Sequence, residues 1–242
     1  MALTKVSGGV IADNSVGLGQ LGSGTDGNLI SFDANGDPVM VGTGNANQVL
    51  TSNGAGAAPT FQNVASGALP AGSVLEELWL PQNGTSQTVS SGTYTGANIT
   101  TYQDLAATTY NDITGSSINY TPPSGATRVV YSLHLYSSFS TTANVYSHYK
   151  LFLDSTEVTA ARASMAAQYL SKENILTWVF LIGGSANAAT GQVASWTSAK
   201  QIKMQGRMYS GGYAQRLHQT YYWDGAVSGQ MHVPIINVKA IK

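Results

Sequence analysis

Hydrophobic and polar residues alternate along much of the second part of the chain. Apolar side chains occupy every second position from Val129 to Leu135 and again from Ile236 to Ala240. A period of two predicts β-strands that bury one face. Strand candidates occur at residues 87–95, 107–113, 118–120, 127–138, 145–153, 175–182, 201–209, 217–223 and 233–241. Short strands bounded by Gly, Asn, Ser and Pro are typical of a sandwich or barrel, and we expect an all-β, antiparallel, jelly-roll-like β-sandwich head.

Two segments of this part follow a different pattern. Residues 73–80, SVLEELWL, predict one or two helical turns before Pro81. Residues 156–170 are rich in Ala and fit either a strand or a short helix.

The first part of the chain predicts short hairpins. Residues 28–32 and 38–41 are apolar runs joined by DANGD, whose residues tolerate positive φ and favour a tight turn. Residues 48–51 and 59–62 predict two further strands of four residues. Strands this short cannot form a stable sheet of their own.

Composition divides the chain near residues 66–73. Residues 1–70 contain no Tyr or Trp, Lys5 as their one cationic side chain, and nearly half of the 27 glycines. So few large apolar groups cannot offset the roughly 1–2 kcal/mol per residue that backbone ordering costs. This segment therefore needs further copies of itself or a partner. We expect an anchor and shaft over 1–65, a neck over 66–82 and a head over 83–242.

Charge and cysteine content exclude several functions. Charged residues are 10% of the chain and the net charge is -1. Without a cluster of Lys and Arg, the chain has no electrostatic surface for nucleic acid or for an anionic membrane. It has no cysteine, and its four His lack the spacing of metal ligands. We expect no cofactor, no metal and no membrane insertion. Residues 1–17 do not resemble a cleaved leader, so we expect synthesis in the cytoplasm.

Catalytic chemistry has no clear basis in the sequence. Glu76 and Glu77 are adjacent in the predicted neck, and the other head carboxylates are scattered, mostly in turns. A glycosidase needs two carboxylates on opposite sides of one bond. No GxSxG segment occurs. We therefore expect no catalytic residue and no enzymatic activity.

Residues 207–223 interleave aromatic and polar side chains and form the best candidate receptor site. Aromatic faces stack on sugar rings, and arginine supplies polar orientation. The candidate receptor-binding residues are Tyr213, Tyr222, Trp223 and Arg216, of which Tyr213 follows a Gly-Gly loop and is expected to be exposed. Strand alternation also predicts that about half of these aromatic residues pack in the core or between subunits.

Three phrases in the first third of the chain carry a family resemblance. They are ISFDANGDPVMV (30–41), GNANQVLTSNGAGAAPTFQ (44–62) and LPAGSVLEELWL (69–80), in that order. Together with the opening ALTKVSGGVIADNSV, they resemble the modular N-terminal segment of virion fibre proteins of tailed phages. The specific resemblance covers about residues 1–80, and the head resembles the family in strand pattern.

The resemblance implies a homotrimer on the surface of the virion. Its N-terminus would bind another virion protein, a tail adaptor, baseplate or capsid subunit, and its head would contact a host-surface glycan or protein. We therefore expect a non-enzymatic structural fibre or spike that serves host attachment. The alternatives are a capsid decoration protein, or head fibre, that clamps shell subunits and a cellular lectin or adhesin subunit.

Overall fold

The computed structural model describes residues 25–32, 34, 38–64, 69–139, 145–167, 171–220 and 229–242. These residues form seventeen β-strands and no helix. The strands are β1 (Leu29–Phe32), β2 (Pro38–Val41), β3 (Gln48–Thr51), β4 (Thr60–Asn63), β5 (Val74–Pro81), β6 (Ser86–Val89), β7 (Gly92–Thr95), β8 (Gln103–Leu105), β9 (Asn111–Asp112), β10 (Ile118–Tyr120), β11 (Arg128–Phe139), β12 (Val145–Leu153), β13 (Thr156–Ala167), β14 (Ser171–Leu181), β15 (Lys200–Met208), β16 (Gln215–Leu217) and β17 (Ile235–Ile241). The predicted all-β class is confirmed. The chain divides into two compact units, 1–65 and 66–242.

The first unit contains two antiparallel hairpins. Strand β1 pairs with β2, and β3 pairs with β4. The pairing of β1 with β2 was expected from the two apolar runs, although most of the predicted turn at 33–37 lies outside the described residues. For 48–51 and 59–62 the sequence predicted two strands, and the structure adds their pairing. A two-stranded hairpin is at best marginally stable in water, because neither of its faces is covered. The described residues of the first unit therefore form no sheet large enough to enclose a core.

The second unit contains a six-stranded sheet built around β11. Along one edge β11 pairs with β14, and along the other it pairs first with β17 and then with β16. Strand β5 extends the sheet beyond β17, and β8 extends it beyond β16. The alternation from Val129 to Leu135 directs these apolar side chains into the core, where they are fully buried.

A five-stranded sheet faces the same core. Strand β15 pairs with β12 on one side and with β10 and β9 on the other, and β13 pairs with β12. Two antiparallel sheets that share one core are consistent with a β-sandwich. At Gly206 of β15 the approach is close, because a Cβ there would lie 2.7 Å from a methyl carbon of Leu105.

One long folded hairpin joins the two sheets. Its turn is at Asp154, whose φ of 55° is in the left-handed region that Asp tolerates. Strands β12 and β13 pair outward from this turn in the five-stranded sheet, starting with Leu153 opposite Thr156. Their continuations β11 and β14 pair in the six-stranded sheet, ending with Arg128 opposite Leu181. The Ala-rich segment 156–170, left open between strand and helix, is therefore strand over Thr156–Ala167.

Two buried tyrosine hydroxyls between the sheets are hydrogen-bonded. The Tyr131 hydroxyl donates to the Ser116 carbonyl at 2.5 Å, and the Tyr149 hydroxyl donates to Gln215 Oε1 at 2.5 Å. Burial raises the pKa of Tyr149 to about 12, so its hydroxyl keeps the proton that it donates. These bonds satisfy groups that would otherwise destabilise the core.

The helical turns predicted over residues 73–80 are wrong. Residues 74–81 form strand β5, with Leu78 and Leu80 buried and Trp79 exposed. Glu76 occupies the next inward position. Because a carboxylate is not expected in a core, the alternation of inward and outward residues in β5 is not recognisable from the sequence. This strand lies within the segment assigned to the neck.

Three other strand predictions needed correction. Residues 87–95 form a hairpin, β6 and β7, instead of one strand, because the chain turns at Ser90 and Ser91. In residues 107–113, only Asn111–Asp112 is strand, and a separate strand lies at Gln103–Leu105. Near 217–223 the described strand is Gln215–Leu217, which ends before His218 at a φ of 66°, and residues 221–223 lie outside the described residues.

Candidate functional site

The outer face of the five-stranded sheet carries aromatic and basic side chains in adjacent positions. On β12, Tyr149 and Leu151 point into the core and are buried. Alternation therefore places Tyr146, His148 and Lys150 on the outer face. Tyr146 is 47% exposed.

Strand β15 adds to this face beside β12. Arg207 is the register partner of His148, and its Nη2 lies 3.3 Å from His148 Nδ1. Tyr209 continues past the end of β15, where its backbone N–H donates to the Tyr146 carbonyl at 2.8 Å. The Tyr209 ring packs edge-on against Tyr146 and His148, with centroid distances of 6.3 and 5.6 Å.

Tyr110, in the loop before β9, lies beside these residues. Lys150 Nζ lies 4.4 Å from its ring centroid and Arg207 Cζ lies 4.9 Å from it. Arg207 Nη1 also donates to the Thr108 carbonyl at 3.1 Å. These contacts hold two cations close together on one ring. The Tyr110 cluster, as we name it, consists of Tyr110, Tyr146, His148, Lys150, Glu157, Arg162, Arg207 and Tyr209.

The Tyr110 cluster has a surplus of positive charge. Its one carboxylate, Glu157, accepts hydrogen bonds from Arg162 Nε at 2.6 Å and from Lys150 Nζ at 2.9 Å. The bond from Arg162, followed by that from Lys150, holds the pKa of Glu157 below its usual range. Among the described residues, Arg207 has no carboxylate within 4 Å. The cluster thus contains three cationic side chains and one carboxylate, which pairs with two of them.

A depression of about 260 Å³ lies within the cluster. It is lined by Tyr110, His148, Tyr149, Arg162, Ala163 and Ser164. Its volume is close to the lower end of small-molecule sites, which start at roughly 300 Å³. It therefore suits one ring-sized group.

The structure gives Arg216, one of the predicted receptor residues, an intramolecular role. On β16, its Nε and Nη2 donate to the two carboxylate oxygens of Asp104 at 2.9 and 3.1 Å. Its guanidinium carbon lies 3.7 Å from the ring centroid of Tyr102, and Nη1 donates to Gln219 Oε1 at 3.1 Å. These contacts hold β16 against the neighbouring β8.

The other predicted residues lie near the same end of the chain. Tyr213 is 37% exposed in the loop between β15 and β16, as expected from its position after two glycines. Tyr222 and Trp223 lie outside the described residues. Their role as receptor residues stays a prediction.

Sequence reasoning missed most of the Tyr110 cluster. Tyr209 and Arg207 belong to the aromatic segment 207–223, but Tyr110, Lys150 and Arg162 do not. Tyr146 and Lys150 alternate on a strand whose bounds, Val145–Leu153, were predicted correctly. That alternation is a signal from which an outward aromatic and basic face could have been predicted. The pairing of β12 with β15, which brings Arg207 to it, was not visible in the sequence.

Two further features are absent from the described part of the chain. No group of three or more His, Cys, Asp or Glu residues there could hold a metal ion. No helix in those ranges is long and apolar enough to cross a membrane.

Comparisons with known proteins gave structural likeness at a low level. No family model matches the chain, and no curated protein matches it. Among solved structures, it is similar to "Structure of infectious bursal disease virus Gt strain", with a TM-score of 0.31, 9% identity and coverage of 85% of this chain and 45% of that one. The "Crystal structure of infectious bursal disease virus VP2 subviral particle" gives a TM-score of 0.31, 8% identity and coverage of 85% and 47%. The chain thus spans about half the length of these proteins, and the likeness is too low to assign a function.

Proposed function

We propose that this chain is a non-enzymatic structural fibre or spike of a tailed-phage virion. Its first unit forms the shaft and anchor on another virion protein, and its jelly-roll-like head serves attachment to the host surface. Three copies form the working molecule. The proposal is motivated by the resemblance of residues 1–80 to virion fibres and by the physical character of the two units.

The observation that carries the proposal is the apolar surface of the first unit. Phe32 is 63% exposed, Ile30 is 49% exposed and Leu50 is 47% exposed, whereas Val41 is buried. Hairpins that expose their apolar side chains gain little from folding alone. The same side chains would stabilise an assembly by about 25 cal/mol per Å² of apolar surface buried. A shaft of several copies satisfies this requirement.

The head also has an edge suited to association. Among the described strands, β14 pairs with β11 alone. At the end of its other edge Val193 N–H donates to the Leu181 carbonyl at 3.1 Å, and the rest of that edge has no strand beside it. Its outward side chains include Ile175, Val179 and Leu181, which are 56, 42 and 48% exposed. An apolar, unpaired edge strand is usually covered in a stable protein. This supports contacts between heads of a trimer.

The carboxylates of the head support a non-enzymatic role. Glu76 is buried, and its carboxylate accepts four hydrogen bonds. Ion pairs with Arg or Lys engage Glu77, Asp104, Asp112, Asp154 and Glu157, and the remaining described head carboxylate, Glu173, lies 3.8 Å from His134 Nδ1. A glycosidase would need two carboxyl groups facing one bond. These carboxylates instead stabilise the fold.

The experiment that tests the proposal is deletion of residues 1–65 from the chain in its virion. We expect particles that assemble without the truncated protein and adsorb poorly to host cells. If the truncated protein is still incorporated, its anchor lies elsewhere and this part of the proposal fails.

Deletion of the whole chain separates attachment from decoration. Loss of adsorption with intact, stable particles supports a fibre that serves attachment. Normal adsorption with particles that lose their contents on heating supports a decoration protein that clamps the shell. The second outcome would overturn the attachment role.

A further inference from the structure

We propose that the Tyr110 cluster binds an anionic sugar, a ring that carries a carboxylate or a phosphate. The inference rests on the proposed function, because it names the chemistry that the head would recognise on a host surface. The cluster combines surplus positive charge, exposed aromatic faces and a depression of ring size.

The charge of the cluster selects an anion. Glu157 is shared by Lys150 and Arg162, and Arg207 contributes a further cation held against Tyr110. The chain as a whole has a net charge of -1, so this local surplus is not a general property of its surface. A bound carboxylate or phosphate would restore the balance through charge-assisted hydrogen bonds.

Arg207 is held in place for such a contact. Its Nη1 donates to Thr108, its Nη2 lies against His148, and its buried Nε has no hydrogen-bond partner among the described residues. A guanidinium fixed on both sides loses little side-chain entropy when a ligand binds. Arg162 lies on the rim with a side chain that is 57% exposed, so it is accessible to an anion from solvent.

The tyrosines favour a sugar over a simple anion. Tyr209 and Tyr146 are 62 and 47% exposed, and their edge-on contact fixes both rings. A sugar ring can pack on an aromatic face while its charged group reaches the arginines. Nucleic acid fits less well, because such proteins typically neutralise roughly 6–10 phosphates and this cluster has a surplus of two charges.

Calorimetric titration of the full-length protein tests the inference. The four probes are N-acetylneuraminic acid, glucose 1-phosphate, neutral glucose and a short single-stranded oligonucleotide. We expect one of the two acidic sugars to bind, more weakly as salt is raised, and glucose to bind at least about tenfold more weakly. The acidic sugar that binds with the higher affinity shows whether the cluster prefers a carboxylated or a phosphorylated ligand.

Matched variants locate the binding on the cluster. R162Q and Y209A change exposed side chains and are expected to weaken binding of the preferred acidic sugar by about tenfold or more. K203Q is the control, because Lys203 lies on the same sheet face but pairs with Asp112 outside the cluster. The affinity of K203Q for the preferred acidic sugar should equal that of the wild type. Thermal unfolding checks that all three variants are folded.

Several outcomes overturn the inference. They are no binding of either acidic sugar at about 10 mM, equal binding of glucose, tighter binding of the oligonucleotide, or equal loss in K203Q. Virions that carry R162Q and Y209A distinguish this inference from the proposed function. If they adsorb normally while deletion of the whole chain abolishes adsorption, the Tyr110 cluster is not the attachment site and the fibre function stands.

Discussion

The Tyr120 hydroxyl donates a 2.8 Å hydrogen bond to the Glu76 carboxylate and so joins the two sheets of the head. Glu76 lies on β5 of the six-stranded sheet, and Tyr120 lies on β10 of the five-stranded one. Ser90 Oγ, Ser91 Oγ and the Ser91 N–H also donate to this carboxylate, at 2.6 to 2.7 Å. The turn of the β6–β7 hairpin is thereby fixed to both sheets.

Replacing Glu76 by Gln should destabilise the head by about 2 kcal/mol or more, because an amide cannot accept all four bonds and its NH₂ would face donors. The measurement is urea unfolding at pH 7. E173Q is the matched control: Glu173 is 54% exposed, so its loss should cost less than about 0.5 kcal/mol. Equal effects of the two substitutions would contradict the structural role of Glu76.

The same carboxylate predicts a loss of stability in acid. Burial alone would raise the pKa of Glu76, but the bonds from Ser90, Ser91 and Tyr120 outweigh it and lower the pKa. A lowered pKa means that the unfolded chain binds the proton more readily. The contribution is complete above the unfolded pKa and disappears as pH falls through the lower folded pKa. Urea unfolding of E76Q should therefore show less pH dependence between pH 5 and 3 than the wild type, in about the range where carboxyls titrate.

His218 predicts a second, less acidic transition. It is fully buried at the end of β16, its Nδ1 has no hydrogen-bond partner among the described residues, and Nε2 lies 3.2 Å from Thr114 Oγ1. Burial lowers the pKa of His218 to about 4. Between pH 6.5 and 4 the unfolded chain binds more protons than the folded one, so stability is complete above this window and falls by at most about 3 kcal/mol across it.

The variant H218N tests this origin of the pH dependence. The backbone φ at His218 is 66°, which Asn tolerates, so the substitution removes the imidazole with little backbone strain. We expect H218N to be less stable than the wild type at pH 7, and its melting temperature to change less with pH between 6.5 and 4.5. An unchanged slope would show that another group titrates in this range.

Arg216 should behave as a structural residue. R216A removes the two bonds to Asp104 and the contact with Tyr102, and it should lower the free energy of unfolding by about 1–2 kcal/mol. Because the two side chains act together, the double variant R216A/D104A should be destabilised by less than the sum of the single variants. Additive losses in chemical denaturation would show that the pair contributes no coupling.

The sequence indicated strands well where alternation was uninterrupted. The bounds of β10 and β12 were predicted without error, and the apolar series from Val129 to Leu135 is buried as expected. Prediction failed where a polar group took an inward position. Glu76 is tolerated in β5 because its donors come from Ser90, Ser91 and Tyr120, which are distant in sequence.

The candidate site was harder to predict for a similar reason. An aromatic segment such as 207–223 is conspicuous, but the contacts of Arg216 depend on the pairing of β16 with β8. The Tyr110 cluster assembles from β12, β13, β15 and a loop. Its residues become neighbours only through strand order, for which local composition gives no signal.

Exposed apolar residues of the first unit should control the oligomeric state. Phe32 and Leu50 are 63 and 47% exposed, so each should bury its side chain on assembly. Under the trimer proposal, F32D and L50D place a charge in that contact and should shift the full-length protein from three times its 25.3 kDa mass toward the single chain. Sedimentation equilibrium at micromolar concentration measures this mass.

A55D is the control, because Ala55 is exposed in the turn of the second hairpin and offers little apolar surface. A wild-type protein that sediments as one chain would overturn the trimer, and equal shifts in all three variants would show that added charge, not lost apolar contact, weakens it.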